Sequence, residues 1–186
     1  MDNKIALDIC CAPCSIAAIE RLRQRFKDCA IIGYVNNSNV YPVEEYNRRL
    51  DSIKRIAEYY NLKLFIDSYN PNEWLNEVKG YEKEPENGKR CLICYEYRLR
   101  KVALFAKSKK ISKFVSTLTT GPMKRADIIN SIGETIAKDY GLEFIKDDFK
   151  KNNGFMRSVE LSKKFKLYRQ RYCGCKFSIR QLIRTN

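Results

Sequence analysis

Apolar positions along the chain follow two spacings that alternate. "KIALDIC" (residues 4–10), "AIIGYVN" (30–36), "LKLFID" (62–67), "KFVSTL" (113–118) and "LEFIK" (142–146) are short aliphatic and β-branched runs that read as buried strands. Between them, "SIAAIERLRQRF" (15–26), "VEEYNRRLDSIKRIAEYYN" (43–61), "CLICYEYRLRKVALFAKS" (91–108) and "RADIINSIGETIAKDYG" (125–141) carry apolar residues at helical spacing. The second of these opens on acidic residues, where the helix dipole favours them, and the last closes on a glycine. A short helix is predicted within "PNEWLNEVKG" (71–80), a polar acidic loop leads up to Arg90, and two basic helical stretches finish the chain. Strands alternating with helices of this length imply a parallel sheet joined by crossover helices. The expected fold is α/β: a three-layer, mostly parallel, Rossmann-like sheet with helices on both faces. A length of 186 residues with 44% hydrophobic content suits one domain over 1–186, with a basic helical segment at about 157–186.

In such sheets the ligand crevice lies beyond the carboxyl ends of the strands. "DICCAPCS" (8–15) and "STLTTGPMKRA" (116–126) both fall at that edge. "NNSNVYP" (36–42) reads as a polar turn-rich loop closed by Pro42.

Charge narrows the classes of partner. Thirty-six Lys and Arg against 22 Asp and Glu give a formal charge of +14. Residues 157–186 hold nine basic residues and one acid, so 9 − 1 = +8 of that charge sits in thirty positions. Charge so clustered reads as the footprint of a polyanion, against the plainer alternative of a solvated surface kept for solubility. No run reaches the roughly 18 apolar residues of a membrane span, and the N-terminus lacks a charged-then-apolar leader, so a soluble cytoplasmic protein is expected. Neither GxGxxG nor a GK[ST] loop is present to support a bound dinucleotide or nucleoside triphosphate.

Cysteine carries the remaining signal. The chain has eight cysteines and no histidine, so any metal here is held by thiolates or carboxylates, and thiolates favour zinc or iron-sulfur clusters. Cys10, Cys11 and Cys14 form CCxxC where a strand meets a helix; Cys91 and Cys94 form CxxC at a helix start; Cys173 and Cys175 form CxC; Cys29 stands alone as an inert thiol at a strand edge. Thiolates at helix N-termini gain from the dipole and from free N–H donors. Cys91 and Cys94, three apart, face the same way on a helix. Cys10 and Cys11 can share a site only if the strand breaks between them, which Pro13 suggests. Two such pairs supply the four sulfurs of a 4Fe-4S cluster. Structural zinc remains open as an alternative, as does a thioredoxin-like pair in "CAPC". In "YCGC" a disulfide across one residue would close a tight, readily reduced ring, which Gly174 makes feasible; the alternative is two free thiols.

With these groups in place the sequence resembles the cobalamin-independent epoxyqueuosine reductases of the QueH type. The resemblance runs through "CCAPC", "YPVEEYNRRL", "EWLNEVKG", "GKRCLICYEYRL", "STLTT", "IINSIG" and "RSVELSKKFKLYRQRYCGC", whose order and spacing make it specific. It implies reduction of the epoxide of epoxyqueuosine at the tRNA wobble position to give queuosine. It further implies a 4Fe-4S cluster on Cys10, Cys11, Cys91 and Cys94, a redox-active disulfide between Cys173 and Cys175, and an additional iron for which Cys14 is the candidate ligand. The partners implied are a tRNA containing epoxyqueuosine and an external electron donor. Where relatives often carry histidine, this sequence has Asp8 and Met123, and Asp8 or Tyr172 becomes the candidate proton donor. Lys163, Lys164, Lys166, Arg169 and Arg171 are the candidate phosphate contacts, with Tyr168 or Tyr172 stacking on an extruded base. Lys124 and Arg125 form a smaller second basic pair. Two other function classes stay open: a zinc-stabilised nucleic-acid-binding module without catalysis, and a thiol-disulfide oxidoreductase.

Overall fold

A computed structural model describes residues 3–179. Five strands, β1 (Lys4–Asp8), β2 (Ala30–Val35), β3 (Lys63–Ile66), β4 (Lys113–Ser116) and β5 (Glu143–Phe144), form one sheet in the order β3-β2-β1-β4-β5. All four pairings are parallel. Among the described residues the α-helices are α1 (Ala12–Arg25), α2 (Val43–Tyr59), α3 (Pro71–Glu77), α4 (Lys89–Ser108), α5 (Ala126–Tyr140) and α6 (Gly154–Lys164).

Side chains of β1 alternate between the two faces, as a pleated strand requires. Ile5, Leu7 and Ile9 join Ile16, Ile19 and Leu22 of α1, Ile53 and Ile56 of α2 and Leu161 of α6 in one apolar layer. Ala6 points the other way, into a layer made by Leu99, Val102 and Ala103 of α4 and Ile129 and Ile136 of α5. The result is the three-layer α/β architecture expected from the alternating pattern. The strand order reverses between β1 and β4, which places a topological switch point, and hence a crevice, beyond Asp8 and Ser116.

Several boundaries differ from the pattern-based reading. The first strand stops at Asp8, and α1 begins at Ala12, not at Ser15, because Cys11 serves as its N-cap with extended backbone (φ −165, ψ 160). Pro13 lies in the first turn, where its missing N–H has no helical partner to lose. The fourth strand ends at Ser116: its side chain accepts from the Leu118 N–H and turns the chain into a 3-10 helix over Thr117–Thr120. The fifth shrinks to two residues at the sheet margin. Of the two basic helical stretches, α6 is present; residues 165–175 are irregular, and from Arg180 on the expected stretch lies outside the described residues.

At Gly133 of α5, an added Cβ would lie 2.6 Å from Cε1 of Phe144, whose ring also packs edge-on against Phe114 with centroids 5.1 Å apart. Gly133→Ala is therefore expected to lower stability by about 1–3 kcal/mol through overpacking, read as a lower midpoint in urea unfolding with an unchanged slope.

Candidate metal centre

The break between β1 and α1 gathers three sulfurs. Those of Cys10, Cys11 and Cys14 all lie within 4.8 Å of one another. Cys11 is buried at the N-cap and receives the Cys14 N–H at 3.4 Å and the Gln170 side-chain N–H at 3.1 Å. Cys10 continues the β1 alternation onto the α4 side, where it packs against the layer containing Cys91. Its N–H donates to Thr117 Oγ1 at 3.1 Å, and that hydroxyl stands 3.4 Å from the Cys10 sulfur as a donor. In the trio, hydrogen bonds from Cys10 and then Cys14 hold the Cys11 thiol well below its usual pKa, and Gln170 adds to this. The same contacts act oppositely on the donors: Cys10 is pushed up to about 11, first by its bond to Cys11, and Cys14 is raised by its bonds to Cys10 and Cys11.

α4 delivers the second pair. Cys91 lies in the first helical turn and accepts the Asn87 N–H at 3.2 Å. Cys94 lies one turn on, and burial pushes its thiol up to about 12; burial likewise raises Cys91. Cys10, Cys14, Cys94 and Cys173 together line one cavity of about 280 Å³ at the switch point. Cys173 and Cys175 are both free thiols with different surroundings: Cys173 faces the cavity 3.3 Å from the Lys124 ammonium, whereas Cys175 is buried among Trp74, Val78 and Tyr97. Between them Gly174 has φ +110, and an added Cβ would meet the Arg49 guanidinium at 2.7 Å. Only glycine permits that backbone and that approach. Arg49 in turn donates to the carbonyl of Cys173 at 3.0 Å and is held by Glu45 at 2.7 Å. Cys29 packs against the first apolar layer, with no part in the cavity lining.

Underneath lies a buried charge network that the sequence reading missed. Arg98 of α4, 2% exposed, donates to Asp8 at 2.6 Å, to the Asn36 carbonyl at 2.8 Å, and to the side chains of Asn37 and Asn39 at 2.7 and 2.9 Å. Ser116 donates to the other Asp8 oxygen at 2.6 Å. The expected proton donor is thus fully buried with both oxygens engaged and lies outside the cavity lining; burial raises its pKa, and Arg98 pulls it back. Asp8 is placed to anchor Arg98. Lys124, in contrast, lines the cavity and pairs with Glu86 at 3.3 Å. Burial works against its charge, but Cys173, Tyr95 and Glu86 more than offset that and hold its pKa above the usual lysine range.

The expected phosphate contacts divide. Arg169, Arg171 and Tyr172 line the cavity mouth. Lys163 and Lys164 sit in the last turn of α6, and Phe165 packs on Tyr59 at the far end of α2, so Lys163, Lys164 and Lys166 lie at the opposite edge of the sheet. From there the chain returns along α2, where the Tyr168 hydroxyl donates to Glu45 at 2.8 Å and its ring is covered by Arg48 at 4.9 Å. Arg125 is exposed and paired with Asp127.

As donors, these sulfurs fit a thiolate-held iron-sulfur group: the chain offers no imidazole, sulfurs from β1–α1 and α4 meet at one cavity, and N–H or O–H donors stand beside Cys10, Cys11 and Cys91.

A family model described as "Epoxyqueuosine reductase QueH" matches residues 5–181. The chain belongs to the QueH family. A relative from Streptococcus pyogenes serotype M1 named epoxyqueuosine reductase QueH is 41% identical over 94% of this chain and 69% of its own length. One of the same name from Thermotoga maritima is 33% identical over 94% of this chain and 90% of its own. Among solved structures, the U34-tRNA thiolase NcsA from Methanococcus maripaludis, described with its 4Fe-4S cluster, superposes with a TM-score of 0.58 over 95% of this chain at 13% identity. This chain spans 61% of that structure, and the likeness is one of fold. No described helix is long and apolar enough to cross a membrane.

Replacing Arg98 by Leu would leave Asp8 buried and unpaired, at an expected cost of about 3–5 kcal/mol. That cost should shrink as pH falls, because a protonated Asp8 needs no counter-charge; urea unfolding at neutral and acidic pH checks both the size and the sign.

Proposed function

We propose that this chain is a tRNA-modifying oxidoreductase that reduces the epoxide of epoxyqueuosine at the wobble position to the alkene of queuosine. The convergence of Cys10, Cys14, Cys94 and Cys173 on one cavity at the carboxyl edge of the sheet is the observation that carries the reading. Cys10, Cys11, Cys91 and Cys94 would hold a 4Fe-4S cluster, leaving Cys14 for a further iron. Bound there, the cluster supplies single electrons and iron able to polarise an oxygen.

Converting an epoxide to an alkene consumes two electrons and two protons and releases water. The residues of this chain contribute the surroundings. Cys173 and Cys175 can hold two electrons as a dithiol and release them with two protons on closing to a disulfide; Cys173 is the member on the cavity, and Gly174 allows the tight ring. Lys124 places an ammonium beside the reaction volume, suited to stabilise negative charge developing on the leaving oxygen. With Asp8 committed to Arg98 outside the lining, Tyr172, which lines the cavity, is the other candidate proton donor. Because the sulfurs lie inside a cavity at the sheet edge, the substrate nucleotide would leave its stacked neighbours to reach them. Arg169 and Arg171 at the mouth meet the flanking phosphates, and the external electron donor would reach the same opening.

Anaerobically purified protein, incubated with epoxyqueuosine-containing tRNA and a reductant, should yield queuosine on nucleoside analysis. Cys91→Ala should lose iron and acid-labile sulfide together. Cys173→Ala should keep both and lose turnover. Full iron in Cys91→Ala would refute the ligand set, and one zinc in colourless wild-type protein would refute the reductase.

For the RNA contacts, Arg171→Ala should reduce the slope of log affinity against log salt by about 0.7, the value of one phosphate contact on a single strand. Joint replacement of Lys163, Lys164 and Lys166 should leave the slope unchanged, as filter binding across a salt series will show.

A further inference from the structure

Three of the four proposed ligand sulfurs already have a donor beside them. Cys10 has the Thr117 hydroxyl at 3.4 Å, Cys11 has the Gln170 amide at 3.1 Å, and Cys91 has the Asn87 N–H at 3.2 Å. For Cys94 the candidate is an indole. Trp74 of α3, the sole tryptophan of the chain and 2% exposed, packs in one small cluster with Cys94, Cys175 and Phe177. Its N–H is buried, and no acceptor among the described residues meets it at hydrogen-bond geometry. A buried donor left unpaired costs roughly 1–3 kcal/mol, and indole N–H groups in protein interiors usually find partners. An orphaned indole N–H, packed in one cluster with the one ligand sulfur that has no donor among the described residues, points to that sulfur as its acceptor once iron holds it as a thiolate.

We propose that Trp74 is a positioning residue whose indole N–H donates to the Cys94 sulfur in the iron-loaded protein, completing a set in which every ligand sulfur has a donor and raising the reduction potential of the centre. This rests on the cluster reading above. The physical reason is that reduction adds negative charge that spreads onto the ligand sulfurs, and an N–H pointed at one of them stabilises the reduced state more than the oxidised. α3 would then be functional: Asn70 caps it through the Glu73 N–H at 3.4 Å, and Pro71 opens it, fixing the indole against α4.

The test compares anaerobically prepared wild-type protein with Trp74→Phe and with protein carrying 3-benzothienylalanine at position 74, which keeps the bicyclic shape and replaces only the N–H by sulfur. Iron and acid-labile sulfide are assayed, and the potential is read by electron paramagnetic resonance during a redox titration. Both replacements are expected to keep full iron and to disfavour the reduced state about tenfold, which for a one-electron couple is a fall of about 59 mV. An unchanged potential in both, or a fall in Trp74→Phe that the benzothienyl isostere does not share, overturns the proposal, the second outcome assigning Trp74 to packing alone. A wild-type protein that takes up no iron-sulfur centre sinks the cluster reading itself, and this proposal with it.

Discussion

The site depends on a buried ion pair. Asp8 closes β1, Arg98 lies a turn beyond Cys94 on α4, and their 2.6 Å contact fixes the end of the central strand to the helix that carries the second cysteine pair. Such pairs add little net stability by themselves, because desolvating two charges cancels most of their attraction. Their value is geometric. Arg98 has its Nη1 on three acceptors of the 36–39 loop and its Nη2 on Asp8, so the loop, the strand end and the helix cannot shift independently. The sulfurs of Cys10 and Cys94 are thereby held on two walls of one cavity by a group that itself lines that cavity.

A second charged group plays the same part on the other wall. Arg49, fixed by Glu45, grips the Cys173 and Tyr172 carbonyls and lies flat beneath Gly174. The two arginines divide the work: one aligns the sulfurs proposed as ligands, the other holds the segment carrying Cys173 at the mouth. Each is buried on an otherwise amphipathic helix, Arg49 beside Glu45 on α2 and Arg98 two turns after the buried Arg90 on α4.

The elements were largely legible in sequence, because strand and helix spacing alternate cleanly and Pro13 announces the break that lets Cys10 and Cys11 serve one site. What stayed hidden was polar and tertiary. In linear sequence, Arg98 and Arg49 look like solvent-facing residues of amphipathic helices, and "NNSN" looks like an ordinary surface loop. Only the fold shows that this loop receives the buried Arg98 guanidinium, which in turn holds Asp8. The basic tail misled for the opposite reason. Charges adjacent in sequence suggest one patch, yet the turn at Phe165 sends Lys163, Lys164 and Lys166 to one edge of the sheet and Arg169 and Arg171 to the other.

The contact between Gln170 and Cys11 spans 159 positions of sequence. On a chain synthesised from its N-terminus, Cys10, Cys11 and Cys14 therefore leave the ribosome long before Gln170, whose amide becomes a neighbour of Cys11 only when its segment packs back onto the start of α1.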